Sequence, residues 1–181
     1  QEEFRQKIKA LAESKLSDGA QDRVKQEEVQ PEVIQVLTDH GLLGMTTPAD
    51  QGGTPLDSVS IGIVFEEICG TDWSPMSLML SHVLVPLMMG FARPELQAEW
   101  LPRCASGEKL LCFGNTEPGC GSDAGAITTR AVRQGEDYLI TGEKTSISGG
   151  MQAEAIILTA RTDPEAGPRG ITCFFLPLDM D

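Results

Sequence analysis

Apolar positions follow a helical period through about residues 1–108 and then switch to short β-branched and aromatic runs. In "EEFRQKIKALAESKL", Phe4, Ile8, Leu11 and Leu16 fall at near-helical spacing and predict a helix. "PEVIQVLTDHGLLGM" predicts a second, with Pro31 at its first turn and Gly41 as its stop. "TTPADQGGTPLD" carries two prolines and a glycine pair and predicts a loop. "DSVSIGIVFEEICG" predicts a helix capped by Asp57 and stopped at Gly70. "SPMSLMLSHVLVPLMMGFA" is apolar almost all round, which places it between other helices. "RPELQAEWLPRCASGEK" predicts a helix opening near Pro94 and ending near Gly107.

From Lys109 the signal is β. "LLCFGNT", "AITTRAVR", "DYLITGEKTSISG", "AEAIILTART" and "GITCFFLPL" read as five strands joined by turn chemistry such as "RQGED" and "DPEAGPRG". Five strands without an intervening helix predict an antiparallel sheet or partial barrel. The expected organisation is α+β, with a helical domain over 1–108 and an incomplete antiparallel, barrel-like domain over 109–181. The last run, "ITCFFLPL", is expected to leave an edge strand exposed.

Charge narrows the function. The net charge of −13 comes from 27 acidic against 14 basic residues, which argues against nucleic acid as a main partner. No apolar run approaches the roughly 18 residues of a membrane span. Five scattered cysteines with no close pair read as reduced thiols. Two histidines, neither beside a cysteine pair, give no metal cluster. The chain begins with Gln1 and stops soon after an apolar run, so the expectation is a fragment of a longer protein, cut at both ends.

The stretch "CFGNTEPGCGSDAG", residues 112–125, concentrates four glycines, a proline, two carboxylates and two hydroxyls between apolar runs. Its glycines permit close backbone approach to a ligand, and successive N–H groups with Ser122 can form an anion nest. A plain connection between strands has the same composition, and the stretch alone leaves both readings open.

In register with its surroundings the stretch resembles the signature of the acyl-CoA dehydrogenase family, approximately TEPxxGSD. Thr116, Glu117, Pro118, Gly121, Ser122 and Asp123 match it. "LLGMTTPADQGG", "FEEICGTDWS", the "LQAEWLPRCASGEKLLCF" run into the motif, and "YLITGEKTSISGGMQAEAIILTART" resemble further segments of the same family, so the resemblance covers nearly the whole chain.

The resemblance implies a flavoprotein that oxidises an acyl-CoA thioester between Cα and Cβ, the α-proton leaving to a base and the β-hydrogen as hydride to flavin N5. It places Phe113, Gly114, Asn115 and Thr116 along the isoalloxazine of FAD, with Thr116 among the donors at its N1/O2 edge. It brings Gly121 and Ser122 to the FAD pyrophosphate, with Ser122 also touching acyl-CoA. It assigns Ser146, Ile147 and Ser148 to the flavin as well. Ser146 stands where the family often has an aromatic residue, commonly Trp, so a reshaped pocket and a cyclic or branched acyl group are expected. Ser148 stands in place of the usual Thr and keeps its hydroxyl.

The family's catalytic carboxylate comes from a C-terminal helical bundle, which nothing in this chain resembles, so no catalytic residue is named and the fragment alone is expected to hold FAD weakly or not at all. The resemblance further implies reoxidation by an electron-transferring flavoprotein, a homodimer or homotetramer at full length, and a cytoplasmic location, or the mitochondrial matrix if eukaryotic. An acyl-CoA oxidase, an acyl-carrier-protein-linked dehydrogenase and a non-catalytic scaffold of the same fold are the alternatives.

The remaining chemical side chains read as structural. Cys120 is a small filler, and His40 sits favourably at a helix C-terminus. His82 is a buried, hydrogen-bonded histidine, while Trp73 and Trp100 pack at helix ends. Glu66 and Glu67, being adjacent, are not expected to face one partner. The methionines Met76, Met79, Met88 and Met89 are core filler.

Overall fold

The structure is a computed structural model and describes residues 1–179. It divides into two compact units, Gln1–Leu110 and Leu111–Asp181.

The first unit contains helices α1 (Glu2–Lys15), α2 (Ala20–Arg23), α3 (Pro31–Asp39), α4 (Ser58–Thr71), α5 (Met76–Met89) and α6 (Pro94–Ala105). Their starts follow the sequence. Pro31 and Pro94 occupy first-turn positions, and Asp57 caps α4 by accepting from Ser60 N at 2.9 Å. Gly41 follows α3 at φ 68, a conformation that favours glycine. Ile8, Ala12, Leu16, Leu37, Val64, Ile68 and Met79 belong to one buried core.

Four expectations need correction in this unit. The helix α4 runs through Gly70 to Thr71, and a Cβ added at Gly70 would meet nothing. Its end is set instead by Asp72, which is extended, fully buried and clamped by Arg23 (Nε 2.8 Å, Nη2 2.7 Å) while accepting from Ser74 N. The same guanidinium reaches the Asp18 and Leu16 carbonyls and organises the short α2, which periodicity did not reveal.

Second, α5 is not enclosed all round. Leu78, Met79, His82, Val85 and Met89 are buried, but Leu80, Leu84 and Leu87 are exposed. An apolar residue at every position encodes no preferred face, so the neighbours choose it. Third, Trp73 is exposed, whereas Trp100 is buried. Fourth, Arg5 contacts both Glu66 (2.8 Å) and Glu67, because one guanidinium fork can span adjacent carboxylates.

Pro86 lies inside α5 and has no N–H, which frees the carbonyl of His82 four residues back. Thr46 fills that vacancy from outside the helix. Its hydroxyl donates to the carbonyls of Val83 (2.9 Å) and His82 (3.3 Å).

The second unit is a five-stranded sheet of β1 (Leu111–Gly114), β2 (Arg130–Gln134), β3 (Asp137–Thr141), β4 (Ala155–Arg161) and β5 (Ile171–Pro177). β2 and β3 form a hairpin whose two-residue turn starts at Gly135, φ 67. β4 is central. One edge pairs antiparallel with β5 along its whole length. The other edge is shared in tandem by β1, parallel over Ala155–Leu158, and by β2 at Arg161.

The pairing is therefore mixed, not purely antiparallel. The chain between β1 and β4 is long enough, with a loop and a hairpin inside it, to return β4 in the direction of β1. Ala131, Leu158 and Ala160 are buried with Ile140, Ile156, Phe174 and Leu176 packed around them, and Tyr138 meets Phe174 edge-on at 5.1 Å. Among the described residues no strand pairs with the outer edge of β5.

Candidate functional site

The signature loop begins where β1 ends. Phe113 and Gly114 pair with Ile157 and Leu158 of β4. A Cβ at Gly114 would come within 2.7 Å of Ile156 Cδ1, so the end of that side chain would have to shift to admit it. Glu117 and Cys120 then close a tight turn by exchanging backbone hydrogen bonds of 2.9 and 3.1 Å. Two N–H groups of the expected anion nest are thus used within the turn itself.

Glu117 is the anchor of the loop. Its side chain is buried, and it accepts at Oε2 from the backbone N and hydroxyl of Thr128, both at 2.6 Å. At Oε1 it accepts from Thr129 N and from Lys144 Nζ, both at 2.9 Å. Burial by itself would raise the pKa of this carboxyl. The hydrogen bonds from Thr128, Thr129 and Lys144 outweigh it and hold the group well below the usual carboxylate range.

Lys144 extends the network. Its ammonium also donates to the Asn115 carbonyl (3.0 Å) and the Thr159 hydroxyl (3.3 Å), and Thr159 donates to Asn115 Oδ1 at 2.8 Å. One residue further, Thr145 N donates to the Thr116 carbonyl at 2.9 Å. Residues 115–117 and 144–145 are thereby fastened together over β4. Sequence reasoning assigned no task to Glu117, Lys144, Thr128 or Thr159. The available signal was a glutamate and a lysine inside two matched segments, and only the fold brings them together.

The residues expected at a ligand sit around this anchor. Asn115 and Thr116 are half-buried, and both oxygens of Asn115 are already engaged, so its N–H and carboxamide NH₂ are what it can offer. Ser122 is exposed beyond the turn. Ser146 is exposed, with half-buried Ile147 and Ser148 after it. Ser146 takes φ 54, the only positive φ at a non-glycine among the described residues. For a residue with a Cβ that backbone carries a cost of order 1 kcal/mol or more.

Gly119 and Gly121 behave differently from Gly114. A Cβ at Gly119 would meet nothing within 4 Å, and one at Gly121 only Thr116 Cγ2 at 4.0 Å. Neither has a positive φ. Within the chain, neither packing nor backbone geometry calls for glycine at these positions, and the loop is open on that side.

The chain matches the family models of the acyl-CoA dehydrogenase N-terminal domain over residues 1–108 and the acyl-CoA dehydrogenase middle domain over residues 112–181. It belongs to the acyl-CoA dehydrogenase family. Isobutyryl-CoA dehydrogenase of Dictyostelium discoideum is 31% identical over 180 residues, covering 99% of this chain and 43% of that protein. Cyclohex-1-ene-1-carbonyl-CoA dehydrogenase of Geobacter metallireducens is 39% identical over 137 residues, covering 74% and 36%. A solved glutaryl-CoA dehydrogenase from Mycobacterium smegmatis in complex with FADH2 superposes with a TM-score of 0.87 at 28% identity, covering 98% of this chain and 45% of that one. The chain thus spans less than half the length of these acyl-CoA dehydrogenase relatives.

Among the described residues no group of three His, Cys, Asp or Glu could hold a metal ion. None of the five cysteines forms a disulfide, and burial pushes the Cys69 and Cys112 thiols up to about 11. No helix of the described residues is long and apolar enough to cross a membrane. His82 is buried, with its ring facing the backbone of Leu43 and Cys104.

Proposed function

We propose that the full-length protein is an FAD-dependent acyl-CoA dehydrogenase in which this chain supplies part of the flavin and acyl-CoA site. The observation that carries the reading is the open signature loop. Gly119 and Gly121 have no reason within the chain to be glycine, and removal of their side chains leaves backbone accessible to a ligand. Family membership and a relative solved with FADH2 support FAD as that ligand.

Bound FAD supplies the hydride acceptor for oxidation of the acyl group between Cα and Cβ. The chain's own contribution is to bind and orient. Thr116 offers a hydroxyl and a backbone N–H to the flavin N1/O2 edge, beside Phe113, Gly114 and Asn115, where negative charge develops on reduction. Gly121 and Ser122 offer backbone approach and a hydroxyl to the pyrophosphate, and Ser122 also meets acyl-CoA. Ser146, Ile147 and Ser148 line the flavin from the second segment. Reoxidation falls to an electron-transferring flavoprotein, and the working protein is a homodimer or homotetramer in the cytoplasm or mitochondrial matrix.

Ser146 in place of an aromatic residue favours a cyclic or branched acyl group over a straight chain. The names of the ring-acyl and isobutyryl relatives support that choice. Turnover of hexanoyl-CoA far above cyclic and branched thioesters would sink it.

The test of the main reading is purification of the full-length protein with its visible spectrum. A flavin band, or reconstitution with FAD, is expected. Thr116→Val is expected to slow flavin reduction on the order of 100-fold, the scale of one lost charge-stabilising donor. A colourless protein that takes up no FAD would instead favour the non-catalytic scaffold.

A further inference from the structure

We propose that Lys144 is a positioning residue that, through Glu117, fixes the spacing between the strand-end segment carrying Asn115 and Thr116 and the segment carrying Ser146 and Ser148. The inference rests on the flavin reading of those segments. A single ammonium donates to the Asn115 carbonyl, to Glu117 Oε1 and to Thr159 Oγ1, at 3.0, 2.9 and 3.3 Å. The peptide after it donates to the Thr116 carbonyl. All three oxygens that Lys144 contacts lie on other segments of the unit, so its position sets theirs.

The burial of the pair suits this task. The side chains of Lys144 and Glu117 are 9% and 3% exposed. An ion pair withdrawn from water keeps one geometry, because any departure leaves a charge unsolvated. Surface salt bridges such as Lys25–Asp22 lack that constraint. Glu117 is itself fixed by three donor groups of Thr128 and Thr129, which makes it a stationary point for the ammonium. Neither residue needs to touch the flavin. Each acts through the backbone of Asn115 and Thr116, which the network holds from behind.

The experiment uses full-length protein carrying Lys144→Met and, separately, Thr159→Val, a milder change that removes the hydroxyl joining Lys144 to Asn115. FAD affinity, the visible flavin spectrum and thermal unfolding are read for each. Lys144→Met is expected to raise the Kd for FAD about tenfold or more, the scale of losing a group behind a binding shell, and to shift the flavin spectrum. Thr159→Val is expected to shift both in the same direction by less, with the fold retained. Folded variants with unchanged FAD affinity and spectrum would overturn the proposal. So would an unfolded Lys144→Met beside a Thr159→Val protein whose flavin properties are unaltered, since the network would then serve stability alone. An unfolded Lys144→Met with a shifted Thr159→Val spectrum supports it. Failure of the unmodified protein to bind FAD would overturn the flavin reading itself, and this inference with it.

Discussion

Lys144 Nζ lies 2.9 Å from Glu117 Oε1, with both side chains almost wholly removed from water. The pair joins two loops separated by 27 residues. Replacing Lys144 by Met leaves a buried carboxylate short of its counter-charge, and we expect a loss of about 3–5 kcal/mol in denaturant unfolding. The pH dependence has a definite sign. The folded state holds Glu117 below its ordinary value of 4.5, so the unfolded chain takes up the proton first as pH falls. The stabilisation from this group is present above about pH 4.5 and lost below it. Glu117→Gln is expected to weaken that acid dependence, as read from unfolding midpoints across pH.

His82 acts in a different window. Burial pushes its imidazole down to about 4 from 6.5, against a smaller opposite effect of the Leu43 and Cys104 backbone. The folded unit keeps it neutral while the unfolded chain protonates, so stability falls as pH drops from about 6.5 to about 4. The full effect is roughly 3 kcal/mol. A His82→Leu variant should lose most of the slope above the range in which Glu117 titrates; an unchanged slope there would show that other groups cause it.

Thr46 and Pro86 are expected to be coupled. Thr46→Val leaves the His82 and Val83 carbonyls without the threonine donor and should cost about 1–3 kcal/mol. Pro86→Ala restores an N–H for the His82 carbonyl, so Thr46→Val should be less damaging in that background. A double-mutant cycle by chemical denaturation measures the coupling, and strict additivity would contradict the account.

Much of this architecture was legible in the sequence where one local signal dictates one outcome. Pro31, Pro94, Asp57 and Gly41 act on their own backbone, and all took their expected places. Gly70 failed as a stop because helix interiors tolerate glycine at a cost near 1 kcal/mol, while buried Asp72 and distant Arg23 determine the end. The parallel pairing of β1 with β4 escaped because strand propensity carries no direction. At the candidate site, the matched motif pointed to Thr116 and Ser122, but the partners of Glu117 come from positions 128, 129 and 144 and are adjacent only in space. The φ of 54 at Ser146 was likewise invisible, since serine has no strong preference for that region.

The glycines of the signature loop offer a separation of fold from binding. Gly114→Ala should destabilise the sheet unit modestly, because its Cβ would push the end of the Ile156 side chain aside. Gly121→Ala should leave the unfolding free energy within about 0.5 kcal/mol, as expected for a substitution that meets only Thr116 Cγ2 at 4.0 Å, and in full-length protein it should weaken FAD retention. Calorimetry and flavin titration of the two variants distinguish these roles. A Gly121→Ala protein with undiminished FAD affinity would show that the open side of the loop is not where the cofactor approaches.

The most direct test of the account is anaerobic addition of acyl-CoA thioesters to purified full-length protein while the visible flavin band is followed. Bleaching of the band with formation of the α,β-unsaturated thioester is expected, faster for cyclic or branched acyl groups than for hexanoyl-CoA. A protein that carries flavin yet keeps its band unbleached with every thioester, or one that carries no flavin at all, would contradict it.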